Sequence, residues 1–389
     1  PRGLANVYGY GEIQTPIFEF TEVFARTLGD VSDVVTKEMY TFEDRGGERI
    51  TLRPENTAGV ARAFISAKLQ NDLPLKYFYA GPMFRYERPQ KGRQRQFHQI
   101  GVELFGVPGP SGDVEVIALA AQILDQLEMR QHCVLNLNTL GDTESRQAYR
   151  TALVEYFSDY KARLSDDSVA RLEKNPLRIL DSKDQSDKEI VDGAPSFDGY
   201  LTSSAFDFFG EVREGLDDLG IAYELNPRLV RGLDYYCHTA FEFVTDALGA
   251  QGTVIGGGRY DGLIGMMGGP ETPGVGWAGG IERLAMLADQ TLPKLELPSP
   301  IALIPIGGFA ERALKKYAFI LRAKGIPTDI AFSRNLKRRM QRAGRMGAKV
   351  AVIVGDDELQ AKEATLRDMD TGAQEEVMLD NLVERLVEL

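Results

Sequence analysis

Five cations, Arg85, Arg88, Lys91, Arg93 and Arg95, crowd between Phe84 and Phe97 in a chain whose formal net charge is -12. A cationic run inside an acidic chain points to a local anionic partner. Phosphates, of a nucleotide or a nucleic acid, suit it best, because the planar guanidinium grips phosphate oxygens two at a time. Apolar or aromatic stretches flank the run, Tyr77-Phe78-Tyr79 on one side and Phe97 to Val102 on the other. They read as two antiparallel strands joined by a long loop holding Pro89 and Gly92. Phe97 is then placed to stack on a base. The competing reading of the run is a solvated charged hairpin.

Three more segments have residue types suited to a site. In Val230-Arg231-Gly232-Leu233-Asp234-Tyr235-Tyr236 the glycine lets backbone approach a ligand, and the paired tyrosines offer hydroxyls to a polar one. Arg231 and Asp234 set it apart from an ordinary core strand, because buried charges need partners. Gly256-Gly257-Gly258-Arg259-Tyr260-Asp261-Gly262 is weaker: its glycines pack against a small ligand or make a turn, and no Lys-Ser or Lys-Thr follows as in a phosphate loop. In Gly274 to Leu287 a small-residue strand leads into a helix, with Arg283 in the first turn, where backbone N–H groups favour an anion. A surface arginine is the alternative there. Glu55 and Thr57 add polar groups upstream. Gln99 and Glu103 share one strand face with Phe97, because strand faces repeat every two residues. His98 falls on the opposite face and is assigned no chemistry. His238 reads as a structural or pocket-rim residue.

The elements that must position these groups follow from composition. The 389 residues are 43% hydrophobic and 26% charged, too many for one ordinary core. No window reaches a membrane span, and Cys133 and Cys237 show no CxxC spacing, so a reducing cytoplasm is expected. Prolines at 293, 298 and 300 mark a linker at 293–298. It separates residues 1–292 from a tail, 299–389, that alternates strand, helix, strand, helix, strand as a parallel α/β unit. Residues from about 151 to 218 form an acidic, helix-like stretch, with no glycine between Gly141 and Gly193, between glycine-rich strand sequence, as a helical insertion in a mostly β unit would. In the tail, Arg334, Lys337, Arg338, Arg339, Arg342, Arg345 and Lys349 fall together without an acid between them. This suits phosphate contacts, or a solvated helix.

Taken jointly and in order, these segments resemble the histidyl-tRNA synthetase family of class II aminoacyl-tRNA synthetases, over nearly the whole chain. Pro16 fits the end of the first class motif, Arg85 to Gln99 the second, and Gly276 to Arg283 the third. Arg231 to Tyr236 and Gly257 to Gly262 look like the two histidine-specific signatures. The resemblance implies an α+β fold: a catalytic core on a six-stranded antiparallel sheet with a helical insertion, plus a C-terminal α/β anticodon-binding domain. It implies a cytoplasmic homodimer, with no membrane partner, that activates L-histidine with ATP and charges tRNA-His. Mg2+ accompanies the ATP, and no protein motif for a metal is present.

The roles implied are carried over by position. Arg85 holds the α-phosphate, Arg93 and Arg283 the outer phosphates, Phe97 stacks on adenine, and Glu87 lies near its amino group. Glu55, Thr57 and Gln99 hold the amino and carboxylate ends of histidine. Glu103 and Tyr236 take the imidazole nitrogens, and Tyr260 helps close the pocket. Arg231 steadies the charge that builds at the α-phosphate. Arg88, Gln90 and Arg95 meet the tRNA acceptor end. The rival is a non-catalytic, synthetase-like regulatory subunit of histidine biosynthesis. Such relatives lack the anticodon domain and lose motif residues, which this chain keeps. A histidine-sensing domain of a stress kinase is a second rival, without any kinase signature here.

Overall fold

The computed structural model describes residues 1–28, 38–180, 182, 184–229, 235–293, 298–332 and 335–389. The expected linker and Arg334 thus lie largely or wholly outside the described residues, as do Val230 to Asp234 with Arg231 among them. Two compact units emerge, Pro1–Pro293 and Lys294–Leu389.

In the first unit one sheet contains strands β1 (Gly11–Glu12), β2 (Leu75–Phe84), β3 (Gln96–Phe105), β4 (Val134–Thr139), β5 (Glu224–Leu225), β6 (Cys237–Val244), β7 (Thr253–Arg259) and β8 (Gly274–Gly280). Their spatial order is β1-β2-β3-β8-β7-β6-β4-β5. The six long strands from β2 to β4 run antiparallel to their neighbours, and only the two-residue edge strands pair in parallel. This is the expected six-stranded sheet. Its β3 strand shows why the sheet has two unlike faces. Ile100, Val102 and Leu104 point into the apolar core with Ile117 and Leu124 of helix Ser111–Gln126. The alternate set, Phe97, Gln99, Gly101 and Glu103, must then point the other way. Gly276 of β8 lies directly across from Glu103, and a side chain there would run into the Glu103 carboxyl. The close approach requires glycine.

The helical insertion begins at Thr143, earlier than the sequence suggests, because Asp142 caps that helix by accepting from Ser145 N–H at 2.8 Å. Helices Thr143–Asp159, Asp166–Lys174, Gln185–Asp192 and Ser203–Asp218 follow one another. The first three pack round a small core of their own containing Tyr149, Leu153, Phe157 and Ile190. The fourth packs Val212 and Leu216 into the core of the sheet instead, and the stretch before it, Asp142 to Thr202, is joined at its ends. The other Asp142 oxygen accepts from the Thr202 hydroxyl, and Ser145 Oγ accepts from Thr202 N–H at 3.0 Å. A separate three-stranded sheet, Phe18–Phe20, Arg49–Leu52 and Tyr40–Glu43, leaves Phe18, Phe20 and Phe42 about half exposed.

In the second unit strands Thr328–Ile330, Ile301–Ile306 and Val350–Gly355 are parallel neighbours, and Glu363–Asp368 and Gln374–Met378 extend the sheet antiparallel. Ala310, Leu314 and Leu321 of helix Gly308–Ala323 pack with Leu303 and Val352. Ala343 of helix Leu336–Arg345 packs with Ala302 and Ile304, on the opposite sheet face.

One buried ion pair fastens the core of the first unit. Arg259, at the end of β7 and fully buried, donates from Nε to Asp113 Oδ2 at 3.0 Å. Its Nη1 and Nη2 donate to the carbonyls of Val107 and Gly109, each at 2.9 Å. Removing Asp113 takes away the buried partner of the Arg259 charge and leaves the partly exposed Asp261, whose Oδ1 lies 3.1 Å from Nη1. Asp113→Ala is expected to lose about 3–5 kcal/mol of stability, read as a fall in the urea midpoint of fluorescence from Trp277, which is the chain's single tryptophan.

Candidate active site

The face of β3 that bears Phe97 and Gln99 opens on a cavity of about 290 Å³. Arginines gather at one end. Arg85, just past β2, Arg93 from the loop and Arg283 from the helix Ile281–Thr291 all line it. Each is held by backbone or carboxylate. Arg85 Nε donates to Pro54 O at 2.9 Å, and its guanidinium stands 5.3 Å from the Phe97 ring centroid. Arg283 Nη1 donates to Thr253 O at 2.8 Å, and Nε to Gly92 O at 3.3 Å. Gly92 sits at the loop tip with φ +77°, between Lys91 and Arg93 in a tight turn closed by mutual Gln90 and Arg93 backbone bonds. Burial first, then the guanidiniums of Arg93 and Arg85, depress the Arg283 pKa. That mutual repulsion is the mark of cations assembled for an anion.

Glu87, expected beside the base, carries an ion pair from Arg93 Nε at 3.2 Å. Arg88, Gln90 and Arg95 are exposed and lie off the cavity. Arg95 rests its guanidinium 4.3 Å from the Tyr86 ring centroid.

The other end is polar, and among the described residues no cation lines it. Glu55 lies at the N-terminal edge of the helix Thr57–Ser66, its oxygens accepting from Thr57 N–H at 2.6 Å and Ala58 N–H at 3.0 Å. Burial pushes its carboxyl pKa up. Thr57, Gln99, Tyr235 and Tyr236 line the cavity with it. Gln99 Oε1 is buried there without a hydrogen-bond partner. Behind this lining sits Glu103, only 1% exposed. Its Oε1 accepts from Thr57 Oγ1 at 2.7 Å and from the Tyr79 hydroxyl at 3.3 Å, and its Oε2 from the Tyr260 hydroxyl. Burial outweighs these bonds and pushes the carboxyl pKa up to about 8. Glu103 and Tyr260 thus stand under the cavity floor rather than in its wall. They reach it through Thr57 and a cluster of rings: Tyr260 packs edge-on against Tyr235 and Tyr236, at 5.7 and 6.2 Å between centroids.

The structure brings together Arg85, Glu87, Arg93, Phe97, Arg283, Glu55, Thr57, Gln99 and Tyr236. It adds several groups that sequence reasoning passed over. Tyr79 reads as a core aromatic, and its signal was Gly101 directly across the β2–β3 pairing. Glu242, whose Oε2 accepts from Thr253 Oγ1 at 2.9 Å, and Glu282 left no signal beyond ordinary strand and helix positions. Trp277 lines the cavity but is tied by Nε1 to Val116 O at 2.8 Å, so it acts as wall. His98 faces away as expected. His238 has a left-handed backbone, φ +46°, and stacks on Phe208 at 4.5 Å, a structural position.

An antiparallel sheet that carries an arginine cluster at one end of a cavity and a buried carboxyl at the other agrees with the class II aminoacyl-tRNA synthetase core that the sequence motifs imply. Residues 2–284 match the histidyl-tRNA synthetase family, and residues 301–389 match the anticodon binding domain family. A histidine–tRNA ligase of Rhodospirillum rubrum is 57% identical over 385 residues, covering 99% of this chain and 92% of that protein. One of Gluconacetobacter diazotrophicus is 56% identical over 379 residues, covering 97% and 91%. The crystal structure of apo S. aureus histidyl-tRNA synthetase matches with a TM-score of 0.80 at 38% identity, covering 99% of this chain and 93% of that one. The chain belongs to the histidyl-tRNA synthetase family.

Glu103 gives the site a pH signature. A carboxyl whose folded pKa lies above its unfolded value favours folding while protonated. That contribution is complete below about 4.5 and is lost as pH rises through about 8. The melting temperature of the unliganded chain is therefore expected to fall across that window, and Glu103→Gln to flatten the fall. A Glu103→Gln variant that loses stability as steeply as the unmodified chain contradicts the assignment.

Proposed function

We propose that this chain is a histidine–tRNA ligase, on the strength of one observation: Arg85, Arg93 and Arg283 converge at one end of a cavity whose other end leads to the caged Glu103 carboxyl. Adenylate formation asks little covalent chemistry of a protein. A carboxylate oxygen of histidine bonds to the α-phosphorus of ATP as the bond to the bridging oxygen breaks and pyrophosphate leaves. The protein must align these atoms and place cations where charge builds. Arg85 takes the α-phosphate and Arg93 and Arg283 the outer phosphates, while adenine stacks on Phe97 with Glu87 near its amino group. Arg231, by its place in the signature, steadies the charge at the α-phosphate. In the second step a terminal ribose hydroxyl of tRNA-His attacks the activated carbonyl and AMP leaves.

Glu55, Thr57 and Gln99 receive the amino and carboxylate ends of histidine. Tyr236 meets one imidazole nitrogen from the cavity wall, Glu103 acts on the other through Thr57, and Tyr260 steadies Glu103. A pocket built to satisfy these polar groups rejects an apolar side chain, which would leave them unpaired. Among the described residues no group of three or more potential metal ligands occurs. The donors present fit a Mg2+ ion carried chiefly by the ATP phosphates, with Glu87 and Glu242 the cavity carboxylates acting on Arg283 that would add oxygens to its shell. When bound, it supplies positive charge to the phosphates.

The half-exposed Phe18, Phe20 and Phe42 support a homodimer formed through the three-stranded sheet. Among the described residues no helix is long and apolar enough to cross a membrane, and a cytoplasmic location follows from the tRNA substrate. The match of residues 301–389 to an anticodon binding domain favours this reading over a regulatory subunit.

ATP–pyrophosphate exchange with each of the twenty amino acids tests the assignment: histidine alone is expected to support it. Glu103→Ala is expected to abolish it, a loss on the order of 10⁴-fold or more for a site left without its polar partner. Near-normal exchange removes Glu103 from the site. Separately, alanine at Arg88, Gln90 or Arg95 is expected to weaken tRNA charging far more than exchange. Equal losses in both assays contradict a tRNA role for the loop.

A further inference from the structure

Strand β8 ends at Gly280, opposite Gln99 of β3. One residue further along β3, the His98 amide has therefore run out of neighbouring strand on that side. A backbone N–H without an acceptor is costly, and here a side chain supplies one. Both carboxylate oxygens of Glu282, in the first turn of the helix Ile281–Thr291, lie 2.9 Å from His98 N. The Glu282 Oε1 also lies 2.8 Å from His98 Nδ1. Glu282 thus continues the β-ladder where the strand stops.

The neighbours of the two residues give this contact its meaning. His98 lies between Phe97 and Gln99, both in the cavity lining, and Glu282 immediately precedes Arg283. His98 itself is not in that lining; its side chain is 46% exposed. We propose that His98 and Glu282 form a positioning pair that sets the distance between the base-stacking ring of Phe97 and the phosphate-binding guanidinium of Arg283. The pair acts chiefly on the nucleotide, because Arg283 follows Glu282 directly, whereas at the histidine end Glu55, Thr57 and Tyr236 lie off both β3 and this helix and only Gln99 shares the strand of His98. This inference rests on the ATP site proposed above.

The test measures KM for ATP and for histidine separately in the exchange assay with the full chain. Glu282→Ala is expected to raise the ATP KM about tenfold and to leave the histidine KM within about twofold. Glu282→Gln, whose amide oxygen still accepts from the His98 amide, is expected to recover most of that loss and guards against an alanine variant that fails to fold. His98→Ala, which keeps the backbone donor, is expected to raise the ATP KM about threefold, and to add nothing in the Glu282→Ala background. Equal rises in both KM values overturn the pair, as do multiplied losses in the double variant. The unmodified chain is the reference. Exchange there with none of the amino acids removes the ATP-site reading and the pair together, whereas normal exchange with unshifted variants removes the pair alone.

Discussion

The Glu103 carboxyl is solvated by hydroxyls instead of water. Thr57, Tyr79 and Tyr260 surround it, and each arrives from a different element: a helix start, the neighbouring strand, and the turn after β7. Buried this deeply, the group keeps its proton near neutrality, so it costs less to hold there than a bare charge would. The elements that meet at it share one geometric condition: Gly276 must have no side chain, and Gly101 must leave room for Tyr79. The spacing of β2, β3 and β8 is fixed by that contact as much as by their ladders.

The opposite end of the cavity obeys a different constraint. Three guanidiniums at close range repel, and the fold restrains them with carbonyls of Pro54, Thr253 and Gly92 and the Glu87 carboxylate. Those acceptors hold the cations in place but do not fully neutralise them. The site is therefore preorganised for an anion, because entering negative charge relieves the repulsion between Arg283 and its neighbours that Glu87 and Glu242 offset only in part.

Much of this is legible in the sequence. Strand alternation alone puts Phe97, Gln99 and Glu103 on one face and His98 on the other. The tail's alternation of apolar runs and helical patterns yields the order of its first three strands and two helices. Long-range encounters are not legible. Tyr260 reaches Glu103 across 157 positions of chain, and periodicity records which way a side chain points, not what arrives to meet it. Glu282 reads as an ordinary exposed position in a helix, and Tyr79 as core, for the same reason. The helical stretch starts earlier than composition suggests because Asp142, a residue type suited to an N-cap, caps it, and composition averaged over a stretch does not mark a single boundary residue.

The joined ends of that insertion have an evolutionary corollary. Asp142, Ser145 and Thr202 clasp one another, so the chain leaves and re-enters the sheet unit at nearly the same place. Whatever lies between is topologically a pendant, with its own apolar centre around Tyr149 and Phe157. Lengthening, trimming or exchanging it adds only slowly growing loop entropy and leaves the strand register untouched. Natural variation in size among relatives is expected to concentrate there, while the sheet beneath stays constant.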